Sequence, residues 1–345
     1  MTSKQWKTKS QLKKERQVKL SVAILLILIS ICFLISLNTG HIRLTPQETF
    51  MTLIGQGTEQ QSLILFDFRL PRMVVAILVG VGLAVSGAVL QGVVRNPLAE
   101  PGIIGINAGA GLAVMLFISF FSSASAAPVF VMPIIAFIGA GGAAVLIYVL
   151  AYKRHEGISP IRLVLTGVAI AAGINALMIV LTLNLDPENY QFLATWLAGS
   201  IWGSNWKFVL ALLPWLIILI PFVYVKASVL NVLNLGDETA IGLGAHMEKE
   251  RRILLASAVG LAAACVSISG GIGFVGLIAP HLTRRLVGDK HEYIIPISAM
   301  VGALLLLAAD TLGRWMMQPS EIPAGIIVAV IGSPYFLYLL AKTKD

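Results

Sequence analysis

The residues with the clearest chemical potential are charged groups at the ends of, or inside, long apolar runs. Asp310 lies deep in one such run, and Arg314 follows four residues later. A helix would therefore place the carboxylate beside the guanidinium. Because acidic residues inside apolar segments are functional hypotheses by default, a proton relay is one interpretation. An ion pair within one helix is the interpretation that we favour.

Motifs for phosphate, metal or nucleophilic chemistry are absent from the sequence. No glycine is followed by lysine, no H-E-x-x-H occurs, and the five histidines do not cluster. Cys32 and Cys265 lie in apolar runs and indicate neither a disulfide nor a metal site. Gly271, Gly273 and Gly276 match the dinucleotide fingerprint, but the run does not follow a soluble strand. We interpret these glycines as positions where helix backbones approach closely, and we predict no catalytic and no metal-binding residue.

The composition makes a lipid bilayer the expected solvent for this chain. Its 345 residues are 57% hydrophobic and only 12% charged, with a mean hydropathy of +0.87, whereas soluble domains carry about 25% charged residues. About 20 apolar residues cross the hydrocarbon core as a helix. This criterion predicts an all-α integral membrane protein with ten spans, at about 20–37, 72–94, 98–120, 129–151, 160–184, 207–226, 253–269, 273–287, 293–313 and 323–341.

The distribution of basic residues predicts the orientation of these spans. With the N-terminus in the cytoplasm, cytoplasmic segments hold 20 of the 25 lysines and arginines, seven of them in residues 1–19. This bias favours two cytoplasmic termini and explains the net charge of +8 without nucleic acid. We divide the chain into a basic cytoplasmic segment, 1–19, and a ten-helix domain, 20–345. The outer face then holds only Arg43, Arg69, Arg72, Lys207 and Arg314.

Three connections carry further information. Residues 38–71 are polar and are predicted outside, whereas the cytoplasmic residues 227–252 mix apolar residues at helical spacing with glycines and predict two short helices. Residues 95–105 form a proline-rich cytoplasmic turn, because proline cannot continue a helix and restricts the residue before it. In that turn Glu100 is open to pairing with Arg95 or with a partner protein.

Several motifs follow one another in a recognisable order. They are "RLPRMVVAILVGVGLAVSGAVLQGVVRNPLAEPGIIG" (69–105), "WLAGSIWG" (196–203), "GDETAIGLGAHMEKER" (236–251), "GGIGFVGLIAPHLTRRLVGDKH" (270–291), "LLAADTLGR" (306–314) and "EIPAGIIVAVIGSPYFLYLL" (321–340). Together they closely resemble the FecCD-type permeases of binding-protein-dependent ABC importers, which take up iron–siderophore complexes, haem and cobalamin. The resemblance covers nearly the whole chain after residue 60.

The resemblance implies a type II ABC importer permease fold with two inverted helix sets, spans two to five and seven to ten. It implies a multi-pass protein of the cell membrane and three kinds of protein partner: a second permease subunit, identical or paralogous, a cytoplasmic ATPase dimer and an extracytoplasmic substrate-binding protein. ATP is used by the ATPase, so no cofactor is expected on this chain. We expect a translocation subunit, not an enzyme, that carries a ferric siderophore, with cobalamin or haem as the alternative cargo.

Residue roles follow from the resemblance by position. It implies that Arg69, Arg72 and Arg314 receive glutamates of the binding protein, which suits the planar fork of arginine; anchoring of helix ends at headgroups is the alternative. It implies contact with the ATPase at Asp237, Glu238, Ala240, Gly242 and Gly244. Spans five and ten would line the path, with Thr166, Gly167, Gly325 and Ser333 as candidates.

Two rival classes of function stay in view. An ion-coupled secondary transporter often has inverted repeats and intramembrane charges, and Asp310 is its one supporting residue. A membrane-embedded enzyme would need a cluster of catalytic polar groups near one membrane face. The sequence offers no such cluster.

Overall fold

The computed structural model describes residues 9–40, 42, 44–121, 129–154, 157–236 and 247–342. These residues are almost entirely helical, which confirms the all-α prediction. The helices are α1 (Lys9–Asn38), α2 (Pro46–Leu53), α3 (Glu59–Ser62), α4 (Leu70–Val94), α5 (Ile106–Phe120), α6 (Val131–Ala151), α7 (Pro160–Thr182), α8 (Pro187–Leu197), α9 (Trp206–Val225), α10 (Ala227–Asn234), α11 (Met247–Ser269), α12 (Val275–Val287), α13 (His291–Met316) and α14 (Ala324–Lys342).

Each of the ten predicted spans contains one of these helices. Eight helices of the described residues are long and apolar enough to cross a membrane. The other two, α5 with 15 residues and α12 with 13, are shorter. At about 1.5 Å per residue they do not reach across a hydrocarbon core of about 30 Å by themselves. In both cases an irregular segment precedes the helix, and for α5 it includes a 3-10 turn at Pro101–Ile104.

The chain between the first two spans is more ordered than its polarity suggests. It contains α2, α3 and a π-helix at Leu63–Arg69 that runs directly into α4. Two capping boxes start the short helices: Thr45 with Glu48, and Thr58 with Gln61. In each, the threonine side chain and the residue three positions later satisfy one another's backbone N–H groups. At the N-terminus, α1 already begins at Lys9, so the predicted basic segment is helical over its described part.

The helix α4 is the centre of the bundle. It packs against α13, α11 and α12, and its small residues allow this proximity. A Cβ atom on Gly87 would overlap the carbonyl group of Gly276 in α12. Gly271 and Gly276 of the 270–276 run serve close approach, as predicted, since a Cβ on either would overlap the Leu197 carbonyl or the Pro101 ring. A Cβ on Gly273 would meet only Glu100 Oε1, at 4.0 Å, so close packing does not explain that glycine.

The contacts divide the bundle into two related sets, α4–α7 and α11–α14. The first helix of each set packs against the third helix of the other, α4 against α13 and α11 against α6, and the two first helices pack together. The second helix of each set is the short one. The first set begins with the second span, α4, and the second set begins with the seventh span, α11. Because successive spans cross the membrane in alternating directions, the two sets have opposite orientations.

A small antiparallel ribbon is the one strand pair of the described residues. It joins β1 (Tyr152–Lys153) to β2 (Gly157–Ile158) between α6 and α7. The backbone N–H of Ile158 donates to the Glu248 carboxylate at 3.2 Å. The ribbon thereby ties the connection between α6 and α7 to the first turn of α11.

Candidate functional site

Asp310 is the centre of a buried charge network at one end of the bundle. Its Oδ2 accepts from Arg314 Nε at 3.1 Å, so the predicted ion pair within α13 is confirmed. Its Oδ1 accepts from Arg72 Nε at 2.9 Å and from Arg72 Nη2 at 2.8 Å. Each carboxylate oxygen thus faces a different guanidinium, and the pair joins α13 to α4.

Two of the three arginines predicted for docking hold the end of α1. Arg314 donates from Nη1 to the Thr39 carbonyl at 2.8 Å and from Nη2 to Ser36 Oγ. Arg69 donates to the carbonyls of Leu37 and Ile42. Both arginines are buried. They supply donors to the carbonyl groups that the C-terminal turn of a helix leaves unpaired, and their positive charge suits that end of the helix dipole.

Arg72 is the third arginine, and it faces an opening. Its Nη1 donates to Glu321 Oε2 at 2.6 Å, and the exposed fractions of the two side chains are 12% and 30%. A cavity of about 310 Å³ lies beside this pair, and its lining includes Thr195, Ser200 and Trp202. A guanidinium between a buried and a half-exposed carboxylate can keep the first while it exchanges the second for an incoming anion.

Glu100 joins the turns that precede the two short helices. Its Oε2 accepts from the backbone N–H of Phe274 at 2.9 Å, where Phe274 adopts a left-handed φ of 66° just before α12. The sequence left open whether Glu100 pairs with Arg95. The hydrogen bond from Phe274 comes from the other helix set, so Glu100 ties the two sets together.

The residues predicted to line the path fall into two groups. Gly167 and Gly325 are buried contact points: a Cβ on Gly167 would overlap the Ile103 carbonyl, and one on Gly325 would overlap the Ala198 carbonyl. Thr166 is half-buried on α7, and Ser333 is exposed on α14. Thr166 and Ser333 are therefore the two with accessible side chains, and a role of all four in translocation stays a prediction.

All five residues predicted to contact the ATPase lie outside the described residues: Asp237, Glu238, Ala240, Gly242 and Gly244 belong to residues 237–246, which the structure does not describe. The first of the two predicted short helices is present as α10. Its N-cap residue Lys226 pairs with Glu250 at 2.8 Å, and in its middle Asn231 Nδ2 donates to the Glu292 carboxylate at 2.8 and 2.9 Å.

Metal-ligating side chains do not gather among the described residues, where no group of three or more histidine, cysteine, aspartate or glutamate residues could hold an ion. The polar groups brought together are the arginine network around Asp310 and the connections around Glu100. Both hold helices of the bundle together.

This fold defines a polytopic, all-α membrane protein built from two related helix sets. The model of the FecCD transport family matches residues 27–342, and the chain belongs to that family. The match extends beyond the motifs quoted above and includes the C-terminal 12 of the 30 residues of α1.

Relatives and a solved structure agree with this assignment. The chain is 51% identical over 327 residues to the iron(3+)-hydroxamate import system permease protein FhuG of Bacillus subtilis. The aligned region covers 94% of this chain and 97% of that protein. It is 38% identical over 332 residues to the hemin transport system permease protein HmuU of Yersinia pestis, covering 95% and 97%. A solved inward-facing metal-chelate type ABC transporter superposes with a TM-score of 0.81 at 33% identity, covering 94% and 99%.

Proposed function

We propose that this chain is the permease subunit of an ABC importer that moves a ferric hydroxamate siderophore into the cytoplasm. The observation that carries the proposal is the 51% identity to an iron(3+)-hydroxamate permease over 97% of that protein's length. Haem and cobalamin are the two alternative cargoes. Haem is supported by the lower identity of 38% to a hemin permease. The substrate passes through unchanged, and ATP hydrolysis occurs on a separate subunit.

The arrangement of charge supports the proposed orientation in the cell membrane. Both termini and the basic connections lie in the cytoplasm, and the arginine network around Asp310 lies at the extracytoplasmic end. The cytoplasmic end meets the ATPase dimer through α10 and residues 237–246. A second permease subunit, identical or paralogous, completes the channel.

The network favours a division of labour among the three arginines. Arg69 and Arg314 donate to carbonyl groups at the end of α1, so they stabilise the outer end of the bundle. Arg72 is the docking residue: a glutamate of the binding protein replaces Glu321 on its guanidinium, while Asp310 holds the other side. Such an exchange replaces one charge-assisted hydrogen bond of Arg72 by another, and water solvates the released Glu321 carboxylate, whose side chain is 30% exposed.

The same contacts weaken the case for an ion-coupled secondary transporter. Asp310 was its supporting residue, and its two oxygens are already occupied by Arg72 and Arg314. These contacts give Asp310 a structural role in joining α4 to α13 that requires no proton transfer. ATP-driven alternating access therefore accounts better for the charged groups of this chain.

The experiment is uptake by proteoliposomes that contain this permease with its partner permease, ATPase and binding protein. Radioactive iron is supplied as a ferric hydroxamate, and haem and cobalamin are added as competitors. We expect accumulation that requires ATP on the ATPase side and that unlabelled ferric hydroxamate suppresses more strongly than haem or cobalamin. Uptake driven by a proton or sodium gradient without ATP, or stronger competition by haem, would contradict the proposal.

A further inference from the structure

An open apolar groove runs along the side of the bundle between α6 and α11, and Leu163 of α7 also lines it. Every third or fourth residue of α6 from Phe137 to Tyr148 lines one wall, and the same spacing from Arg252 to Ala263 lines the other. The cavity measures about 470 Å³, within the range of roughly 300–1,000 Å³ for small-ligand sites. The groove is open beside Gly141, because a Cβ atom at that position would meet no atom within 4 Å.

The groove has the length of one leaflet. From Arg252 to Ala263 a helix rises by about 16 Å, and half of a hydrocarbon core of about 30 Å is about 15 Å. At the far end the Phe137 ring packs against Trp215 of α9, with 4.7 Å between the ring centroids and an interplanar angle of 38°. A ligand that fills the groove is therefore an acyl chain that starts at the membrane surface and stops near the midplane.

The membrane-surface end of the groove is positively charged. Arg252 is exposed there, and its Nε donates to the Glu248 carbonyl at 3.3 Å. No described residue accepts a hydrogen bond from its Nη atoms. The nearby carboxylates are engaged elsewhere: that of Glu248 accepts from Ile158, and that of Glu250 pairs with Lys226. Tyr148 lines the same end of the groove. Phosphate is the anion of the membrane surface that suits such a guanidinium.

We propose that the groove between α6 and α11 binds one anionic phospholipid, with an acyl chain along Gly141 and the phosphate on Arg252. Basic pockets between membrane helices recognise lipid headgroups in this way. The bound lipid fills the space between the first helix of one set and the third helix of the other. This site is separate from the arginine network around Asp310 and does not depend on which substrate is carried.

The experiment uses the full chain in nanodiscs with photoactivatable lipids. One sample contains phosphatidylglycerol with a diazirine on an acyl chain, and the other contains phosphatidylcholine with the same label. After illumination, mass spectrometry locates the labelled peptides. We expect phosphatidylglycerol to label the groove residues of α6 and α11 roughly fivefold more than phosphatidylcholine does, the factor expected of one basic residue at an anionic surface.

Two pairs of variants separate this site from general attraction to the membrane. Gly141→Leu fills the groove and should remove labelling there, whereas Gly142→Leu, which also meets no atom within 4 Å but does not line the groove, should preserve it. Arg252→Gln should equalise the two lipids, whereas Arg154→Gln, exposed after the same end of α6, should leave the preference intact. Equal labelling by both lipids in the wild type, or equal effects within either pair, would overturn the proposal.

Discussion

At the scale of single residues, Asp310 joins α13 to α4, a connection that no sequence motif predicted. Its pairing with Arg314 could be read from the sequence, since four residues separate them on one helix. Its pairing with Arg72 could not, because 238 residues separate the two and only the packing of α4 on α13 brings them together. The same holds for Glu100, whose partner Phe274 belongs to the other helix set.

Removal of the Asp310 charge tests its structural importance. Asp310→Asn leaves Arg72 and Arg314 without their shared counter-charge, and breaking a buried pair in this way costs about 3–5 kcal/mol. We expect a large fall in the midpoint of thermal unfolding in detergent micelles. The matched control is Glu321→Gln, which touches Arg72 alone and is partly exposed, so its effect should be small. Similar midpoints for the two variants would contradict a central role for Asp310.

At the scale of helices, the spans were predictable and the outer connection was not. Long apolar runs bounded by charge identify membrane helices because the bilayer requires them. The short helices α2 and α3 do carry a sequence signal: T-x-x-E at Thr45–Glu48 and T-x-x-Q at Thr58–Gln61, each a capping box. The π-helix that follows α3 has no comparable sequence signature, since it differs from an α-helix only in its hydrogen-bond register.

The crossing of α4 and α12 should tolerate no added atom at its closest point. Gly87→Ala would push a methyl group into the Gly276 carbonyl, and such overpacking costs about 1–3 kcal/mol. Gly141→Ala is the control, because its methyl group enters open space and alanine favours a helix over glycine by about 1 kcal/mol. We expect a lower thermal midpoint for the first variant and an unchanged or higher one for the second. The reverse order would contradict the packing described here.

At the scale of the whole molecule, the two ends of the bundle differ in charge, and we propose different partners for them. The loops predicted this polarity, but the family resemblance assigned Arg69, Arg72 and Arg314 alike to docking. The contacts favour Arg72 alone for that task, since Arg69 and Arg314 are engaged by α1. The distinction needs three-dimensional contacts, because all three residues share the same side of the predicted topology.

Capture of the binding protein tests this distinction. Arg72→Glu should abolish binding of the purified binding protein to the permease complex in nanodiscs, because like charges would then face each other. Glu321→Gln, which releases Arg72 from its exchangeable partner, should leave binding unchanged or stronger. Arg154→Glu, predicted to face the cytoplasm, serves as the charge control and should have no effect. Undiminished capture by Arg72→Glu would contradict the proposed docking residue.

The central claim is that these two ends lie on opposite sides of the membrane, and cysteine labelling in intact cells tests it most directly. Ser320→Cys reports the end with the arginine network, and Asp289→Cys reports the basic end; both positions are exposed, and Cys32 and Cys265 are replaced by alanine in each variant. An impermeant maleimide should label position 320 in intact cells and position 289 only after permeabilisation. Labelling of both positions in intact cells, or of position 289 alone, would contradict the account.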